Sequence, residues 1–261
     1  MTSTKGAQGA AHAKQRLDVA LVERGLVSSR SQAENFIKLG KVTVDNAVVT
    51  KSGFFVSPTA QIALTAEEKY VSRAGLKLAS VAELLRLSFK GKTILDVGSS
   101  TGGFTDYALQ HGAKKVYAVD VGTDQLHPSL RNDPCIELHE KTDIRDFIPQ
   151  ETPDIIVIDV SFISLREILP YLAKHAASQQ TQIVAMVKPQ FEAGRAQINK
   201  GIIKNDTVRR QIVKDFEAWA KNYFVIIDKH DSAVAGAKGN RERFYLLTLN
   251  RNSTTSFGRM I

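Results

Sequence analysis

Residues 94–104, Ile-Leu-Asp-Val-Gly-Ser-Ser-Thr-Gly-Gly-Phe, constrain this 261-residue chain more than any other stretch. Ile94 to Val97 reads as a short buried strand interrupted only by Asp96. Gly98, Gly102 and Gly103 permit a tight turn with exposed backbone, and Phe104 opens a helical pattern. A second strand, Val116 to Val121, carries Asp120, 24 residues after Asp96. A strand, a glycine-rich turn, a helix and a second strand tipped with a carboxylate describe a mononucleotide-binding βαβ unit.

The turn reads G-x-x-x-G-G, which is not the dinucleotide fingerprint G-x-G-x-x-G, and it lacks the G-K-[ST] ending of a phosphate loop. Asp96 at the strand tip would repel a pyrophosphate and suits a cationic ligand with a free amino group. S-adenosylmethionine has that amino group, a sulfonium and a ribose whose hydroxyls Asp120 can accept. The candidate cofactor contacts are therefore Asp96, Gly98, Ser99, Ser100, Thr101, Gly102, Gly103, Phe104, Asp120 and Val121.

Later segments extend the same crevice. Cys135–Leu138 reads as a third strand leading to Asp143 and Ile144, where Asp143 either receives the exocyclic amine of an adenine or caps a turn. Residues 154–164 hold a buried strand ending on Asp159, and Ile183–Val187 ends on Lys188. Ligands of parallel sheets sit at the carboxyl ends of strands, so Asp159 and Lys188 point toward Gly98 and Asp120. Residues 70–87 form an amphipathic helix with Leu78, Val81, Leu84 and Leu85 inward and Lys77 near its start. Residues 206–223 are helical, Val225–Asp228 and Phe244–Leu249 close the sheet antiparallel, and Glu242 lies just before the last strand. The fold class is α/β: a Rossmann-like sheet over residues 71–250 with helices on both faces.

The net charge of +8 is uneven, for residues 1–90 carry 13 Lys and Arg against 7 Asp and Glu. A basic first third on a nearly neutral body suggests a polyanion-binding module. Residues 1–14 read as a disordered tail, 15–66 as a small α+β module, 67–70 as a charged linker and 251–261 as a flexible end. Within the module, Leu17, Ala20 and Leu21 lie at helical spacing, and Ser29 or Ser31 caps a second helix, Ser31 with Glu34 fitting a capping box. Residues 41–50 alternate across a turn at Asp45-Asn46, a hairpin signal. The lone Cys135 excludes an intrachain disulfide and a cysteine metal cluster, which suits a reducing cytoplasm. No apolar run reaches the ~20 residues of a membrane span.

The stretches Arg16-Leu-Asp, Leu26-Val-Ser-Ser-Arg-Ser-Gln-Ala and Ile37-Lys-Leu-Gly-Lys-Val-Thr-Val-Asp resemble the RNA-binding domain named after ribosomal protein S4. In that family the Ser-Arg helix and the Gly-Lys-Val turn face structured RNA. The resemblance makes Arg16, Arg30, Ser31, Gln32 and Lys41 candidate RNA contacts, with Arg73 beyond them. Lys77, Asp159, Lys188 and Glu242, together with the glycine loop, resemble the FtsJ-type methyltransferases, which modify ribose 2′-hydroxyls of RNA through a Lys-Asp-Lys-Glu tetrad. The whole chain is similar to the TlyA family of ribosomal RNA methyltransferases, also labelled haemolysins. The shared stretches include Val71-Ser-Arg-Ala-Gly-Leu-Lys-Leu, Asp159-Val-Ser-Phe-Ile-Ser-Leu, Val187-Lys-Pro-Gln-Phe-Glu and Gly239-Asn-Arg-Glu.

This resemblance implies transfer of a methyl group from S-adenosylmethionine to a cytidine ribose, with ribosomal RNA inside a subunit as partner and no metal. Lys188 would accept the hydroxyl proton or stabilise the alkoxide, Asp159 would orient it, and Lys77 and Glu242 would position the ribose. Three other readings are an RNA-binding assembly factor that keeps only the fold, a haemolysin and a nicotinamide-dependent oxidoreductase. Loss of Asp159 or Lys188 would favour the first, yet both are present; the second needs a membrane-inserting segment, and the glycine spacing and Asp96 disfavour the third.

Overall fold

Apolar side chains collect into three cores, one within residues 17–60 and two on opposite faces of a single large sheet. The computed structural model describes residues 14–27, 29–38, 40–64, 69–193, 203, 205–236 and 239–250. The chain divides into two compact units between residues 68 and 69. The expected tails, residues 1–13 and 251–261, lie outside the described residues, as do Glu67 and Glu68 of the expected linker.

In the first unit, β1 (Gln15–Arg16) runs into α1 (Leu17–Glu23), followed by α2 (Arg30–Lys38), β2 (Val42–Val44), β3 (Ala47–Val48), β4 (Phe55–Val56) and β5 (Ile62–Leu64). β2 is the middle strand between β3 and β5, and β1 pairs with β4 as a separate ribbon. The Asp45-Asn46 turn takes the left-handed backbone that a two-residue hairpin needs, with φ of 49° and 67°. Ser29, not Ser31, caps α2: its Oγ accepts the Gln32 N–H at 3.3 Å, and Ser31 falls inside the first turn because the helix already begins at Arg30.

Asp18 holds two of this unit's arginines in place. Its carboxylate is fully buried, accepts Nε and Nη2 of Arg16 at 2.9 Å each, and accepts Nη2 of Arg30 at 2.8 Å. The Arg16 hydrogen bond, with Arg30 adding to it, keeps this carboxyl well below the usual carboxylate range. A depressed carboxyl pKa stabilises the fold above the unfolded-state value near 4. That contribution is lost as pH falls below it. Asp18→Ala is expected to destabilise the first unit by about 1–3 kcal/mol, because both guanidinium groups remain partly in water. Thermal melts at pH 7 check this, and an unchanged midpoint would count against it.

The second unit carries β6 (Thr93–Val97), β7 (Lys115–Val119), β8 (Ile136–His139), β9 (Ile155–Ile158), β10 (Gln182–Val187), β11 (Phe224–Asp231) and β12 (Arg243–Leu249). Their order in the sheet is β11-β12-β10-β9-β6-β7-β8, and β12 alone runs antiparallel to its two neighbours. The helices are α3 (Arg73–Ala82), α4 (Gly103–Gln110), α5 (Leu165–His175), α6 (Pro189–Glu192) and α7 (Asp206–Ala220). α3 and α4 cover one face, α5 and α7 the other. Strand order reverses at β6, between β7 and β9, which opens a crevice at the carboxyl ends there.

Three expectations need correction. The helix expected over residues 70–87 is shorter: α3 ends at Ala82, Arg86 turns left-handed with φ of 53°, and Leu84 is exposed rather than inward. Tyr70 does not belong to a linker, since it is buried with its ring 5.3 Å from that of Tyr107. The last antiparallel pair also begins earlier, at Phe224, and runs on to Asp231. α5, capped by Ser164 through the Arg166 N–H, was not anticipated from the sequence.

Candidate active site

The crevice holds a cavity of about 350 Å³ lined by residues from the tips of β6, β7, β8 and β9. Gly98, Ser100, Asp120, Val121, Asp143, Ile144 and Asp159 all face it. Gly98 has φ of 80°, and a Cβ there would sit 2.9 Å from the Asp159 carbonyl oxygen, so no other residue fits without displacing that strand tip. The Asp120 carboxylate is fixed by two backbone donors, the N–H of Ser100 at 2.8 Å and of Gly122 at 2.7 Å. Its remaining lone pairs are free to accept ribose hydroxyls.

A smaller pocket of about 80 Å³ adjoins it, sharing Gly98, Ser100 and Asp159 and adding Asp96, Ser99, Thr101 and Phe104. Asp96 is buried. Its Oδ2 accepts the Thr105 hydroxyl at 2.7 Å, whereas its Oδ1 has no partner among the described residues. Burial pushes this carboxyl up to about 7; the Thr105 hydrogen bond opposes the rise, and the charges of Asp159 and Asp120 add to it. A buried carboxylate oxygen without a partner at a pocket wall is a group that a cationic ligand can satisfy when the carboxyl is ionised.

Other expected cofactor contacts lie away from the two cavities, border them only, or already have partners. Gly102 and Gly103 line neither cavity; a Cβ on Gly103 would collide with Ser72 and Gly75, so this glycine lets α3 approach α4. Phe104 is a core residue that only borders the small pocket. Asp143 caps a 3-10 turn through the Arg145 N–H, and its carboxylate is gripped by the Arg145 guanidinium at 2.7 and 3.0 Å. Gln125, Thr142 and Phe162 also line the large cavity, although none of them is among the candidate contacts read from the sequence.

Next to the cofactor crevice stand two ion pairs. Lys188 Nζ lies 2.5 Å from Asp159 Oδ1, with side chains 10% and 15% exposed, and donates to Ser161 Oγ at 2.8 Å. Lys77 Nζ lies 2.6 Å from Glu242 Oε2, at 11% and 3% exposure. Sheet register makes them neighbours. Val187 of β10 pairs with Arg243 of β12, so the next residues outward are Lys188 and Glu242. Ala185 pairs with Ile158, which puts Asp159 on the other side of the same strand. The four charged groups therefore come from adjacent strand ends and from α3.

The loop after β9 is locked from below. Glu192 of α6 accepts the Ser164 hydroxyl at 2.6 Å and the Leu165 N–H at 2.7 Å, which ties the Lys188 turn to the Asp159 loop. At the crest of that loop Phe162 is 91% exposed and adopts φ of 68°, a conformation unusual for a bulky residue. Its ring centroid is 5.2 Å from that of Phe191.

The expected RNA contacts fall into different situations. In the first unit, Arg16 and Arg30 are exposed but bound to Asp18, Ser31 is exposed, Gln32 is half-buried, and Lys41 Nζ lies 5.8 Å from the centre of the Phe36 ring. In the second unit, Arg73 donates to the Ala235 carbonyl at 2.6 Å, fastening the loop beside Glu242.

Residues 70–250 match the FtsJ-like methyltransferase family, and residues 15–62 match the S4 domain. Hemolysin A of Brachyspira hyodysenteriae is 41% identical over 233 residues, 87% of this chain and 97% of that one. The 16S/23S rRNA (cytidine-2′-O)-methyltransferase TlyA of Mycobacterium tuberculosis is 42% identical over 196 residues, 73% of each chain. A solved structure named as a candidate hemolysin, from Streptococcus thermophilus, superposes with a TM-score of 0.72 at 38% identity, covering 95% of this chain and 94% of that one. With its glycine turn, its carboxylate-lined crevice and these relatives, the chain belongs to the FtsJ-like methyltransferases, uses S-adenosylmethionine as its cofactor and carries an S4 domain ahead of the catalytic unit.

Proposed function

We propose that this protein methylates the ribose 2′-hydroxyl of a cytidine in ribosomal RNA, with Lys77, Asp159, Lys188 and Glu242 as its catalytic residues. The observation that carries this reading is the Lys188–Asp159 pair, sequestered at two adjacent strand tips beside the cofactor crevice. The relatives named as cytidine-2′-O-methyltransferases of ribosomal RNA supply the substrate. The S4 domain supports RNA as the partner. When bound, the cofactor supplies an electrophilic methyl group on a sulfonium.

The protein's part is to hold a weakly acidic hydroxyl in line with that methyl and to manage its proton. Lys188 Nζ, pinned by Asp159 and Ser161, sits where it can stabilise negative charge developing on the 2′-oxygen, and the proton leaves through this amine or adjoining water. Lys77, neutralised by Glu242, adds a second ammonium whose position is fixed by α3 and the start of β12. Asp159 serves two neighbours: it orients Lys188 and also walls both cavities.

Phe162 supports a seat for the base attached to that ribose. Its ring stands in water at the cavity mouth, held there by a left-handed backbone and by Phe191. Stacking on an aromatic ring is worth roughly 1–3 kcal/mol per base. Phe162→Ala is thus expected to lower methylation efficiency by about tenfold or more, with a smaller loss on cofactor binding; equal losses on both would place the ring with the cofactor instead. Among the described residues no helix is long and apolar enough to cross a membrane.

The test of the function gives the purified protein radiolabelled S-adenosylmethionine and ribosomal subunits from cells lacking the enzyme. Digestion to nucleosides should then place label in 2′-O-methylcytidine. Label in a base, or in another nucleoside, would overturn the assignment.

A further inference from the structure

The two-stranded ribbon of the first unit puts an aromatic ring on its water face. In β4, Val56 turns into the core while Phe55 is 59% exposed, and the preceding Phe54 is 41% exposed. Phe55 stands directly opposite Arg16 of β1 in the antiparallel register. Residues directly opposite across such a pair project from the same face. The Gly53 turn that leads into β4 lies along the same guanidinium, since a Cβ on Gly53 would be 3.9 Å from Arg16 Nη1. Arg16 is itself not loose: Asp18 grips it through two hydrogen bonds and holds Arg30 with the same carboxylate. Both arginine side chains remain 44% and 59% exposed. The result is a fixed pair of guanidinium groups with an exposed phenyl ring beside one of them.

We infer that Phe55, with Arg16 and Arg30, forms a binding site for an unpaired nucleotide of the RNA, distinct from the methyl-transfer centre. The guanidinium groups meet the phosphate as hydrogen-bond donors, and the Phe55 ring stacks on the adjoining base. Such a site favours single-stranded loops or bulges over continuous duplex, because a base inside a helix has no face to offer. Pre-ordering by Asp18 means that little side-chain entropy is lost when the phosphate docks. This inference rests on the proposed RNA substrate and adds to it the class of RNA element that the first unit selects.

The experiment uses the full chain, loaded with S-adenosylmethionine, and measures its binding to deproteinised ribosomal RNA and to intact subunits from cells lacking the enzyme. Affinity is followed as a function of salt for wild type, Phe55→Ala, Phe55→Tyr and Arg16→Ala. Phe55→Ala should weaken binding to both RNA forms by about tenfold with an unchanged salt slope, and Phe55→Tyr should restore it. Arg16→Ala should weaken binding and also flatten the slope by about one phosphate contact. Ultraviolet crosslinking should join the peptide containing Phe55 to a base in wild type. Undiminished affinity of Phe55→Ala for both forms, or a crosslink that never involves this peptide, would overturn the inference. A loss confined to intact subunits would overturn it too, pointing to a ribosomal protein as the ring's partner. If wild type binds RNA through Phe55 yet transfers no methyl group to it, the proposed function fails while this site stands.

Discussion

Lys188→Ala is expected to lower methyl transfer by about 10³-fold while leaving cofactor affinity within a few-fold of wild type. The split follows from where the side chain sits. Lys188 lies on the tip of β10, whereas the cofactor crevice is lined from β6, β7, β8 and β9. Asp159→Ala should be as damaging to transfer but should also weaken the cofactor, since Asp159 walls both cavities and its loss strands Lys188 without a counter-charge. Lys188→Arg should not rescue, because a planar guanidinium cannot replace a compact ammonium held between Asp159 and Ser161. Single-turnover rates with labelled cofactor, beside calorimetric titrations, separate these effects. Turnover of Lys188→Ala within tenfold of wild type would remove this residue from the reaction.

Cofactor affinity should depend on pH through Asp96. With its carboxyl pushed up to about 7 by burial, Asp96 is largely protonated below neutrality in the cofactor-free protein and ionised above it. An ammonium ligand binds the ionised form, so affinity should climb by up to tenfold per pH unit from about pH 5.5 and flatten near 7. Asp96→Asn should weaken the cofactor by roughly 10–100-fold, the worth of a charged hydrogen bond, and abolish this slope. Stability should respond in the opposite sense. The folded pKa exceeds the unfolded value, so the cofactor-free fold binds more protons than the unfolded chain between about pH 4 and pH 7 and loses stability as pH rises across that window. Asp96→Asn without cofactor should therefore melt above wild type at pH 8, the gap closing toward pH 4. A wild-type affinity that is flat from pH 5.5 to 7.5 would remove Asp96 as the ammonium acceptor.

What the sequence revealed and what it hid divide along physical lines. Parallel strands write themselves as short apolar runs, and the residue that ends each run lies at the ligand edge, which is why Asp120 and Asp159 could be placed at one crevice and Lys188 beside it. Lys77 could not. On its helix it reads as an ordinary solvated charge, and only a partner 165 residues away, Glu242, reveals that it is nearly buried. Asp18 was passed over for the same reason: an acid in the first turn of a helix looks like a dipole partner, yet this one organises two arginines. α5 was hidden by Pro170 within it and by a start, Ser164, that depends on Glu192 from another element. Helix ends were misjudged where a backbone change, such as the left-handed Arg86, stops a pattern that apolar spacing alone would continue.

Because β12 runs against its neighbours, Glu242 reaches the active edge at the beginning of a strand rather than at the end of one. The order of manufacture follows from that direction. A chain emerging from a ribosome has made the strands that wall the cofactor crevice by residue 158, and Lys188 follows thirty residues later. The counter-charge for Lys77 arrives only with the closing strand. A chain made as far as Ile168 thus carries every residue that lines the two cavities while its charge arrangement is still incomplete. The topology therefore brings the last of the four charged residues into the chain well after the strands of the crevice.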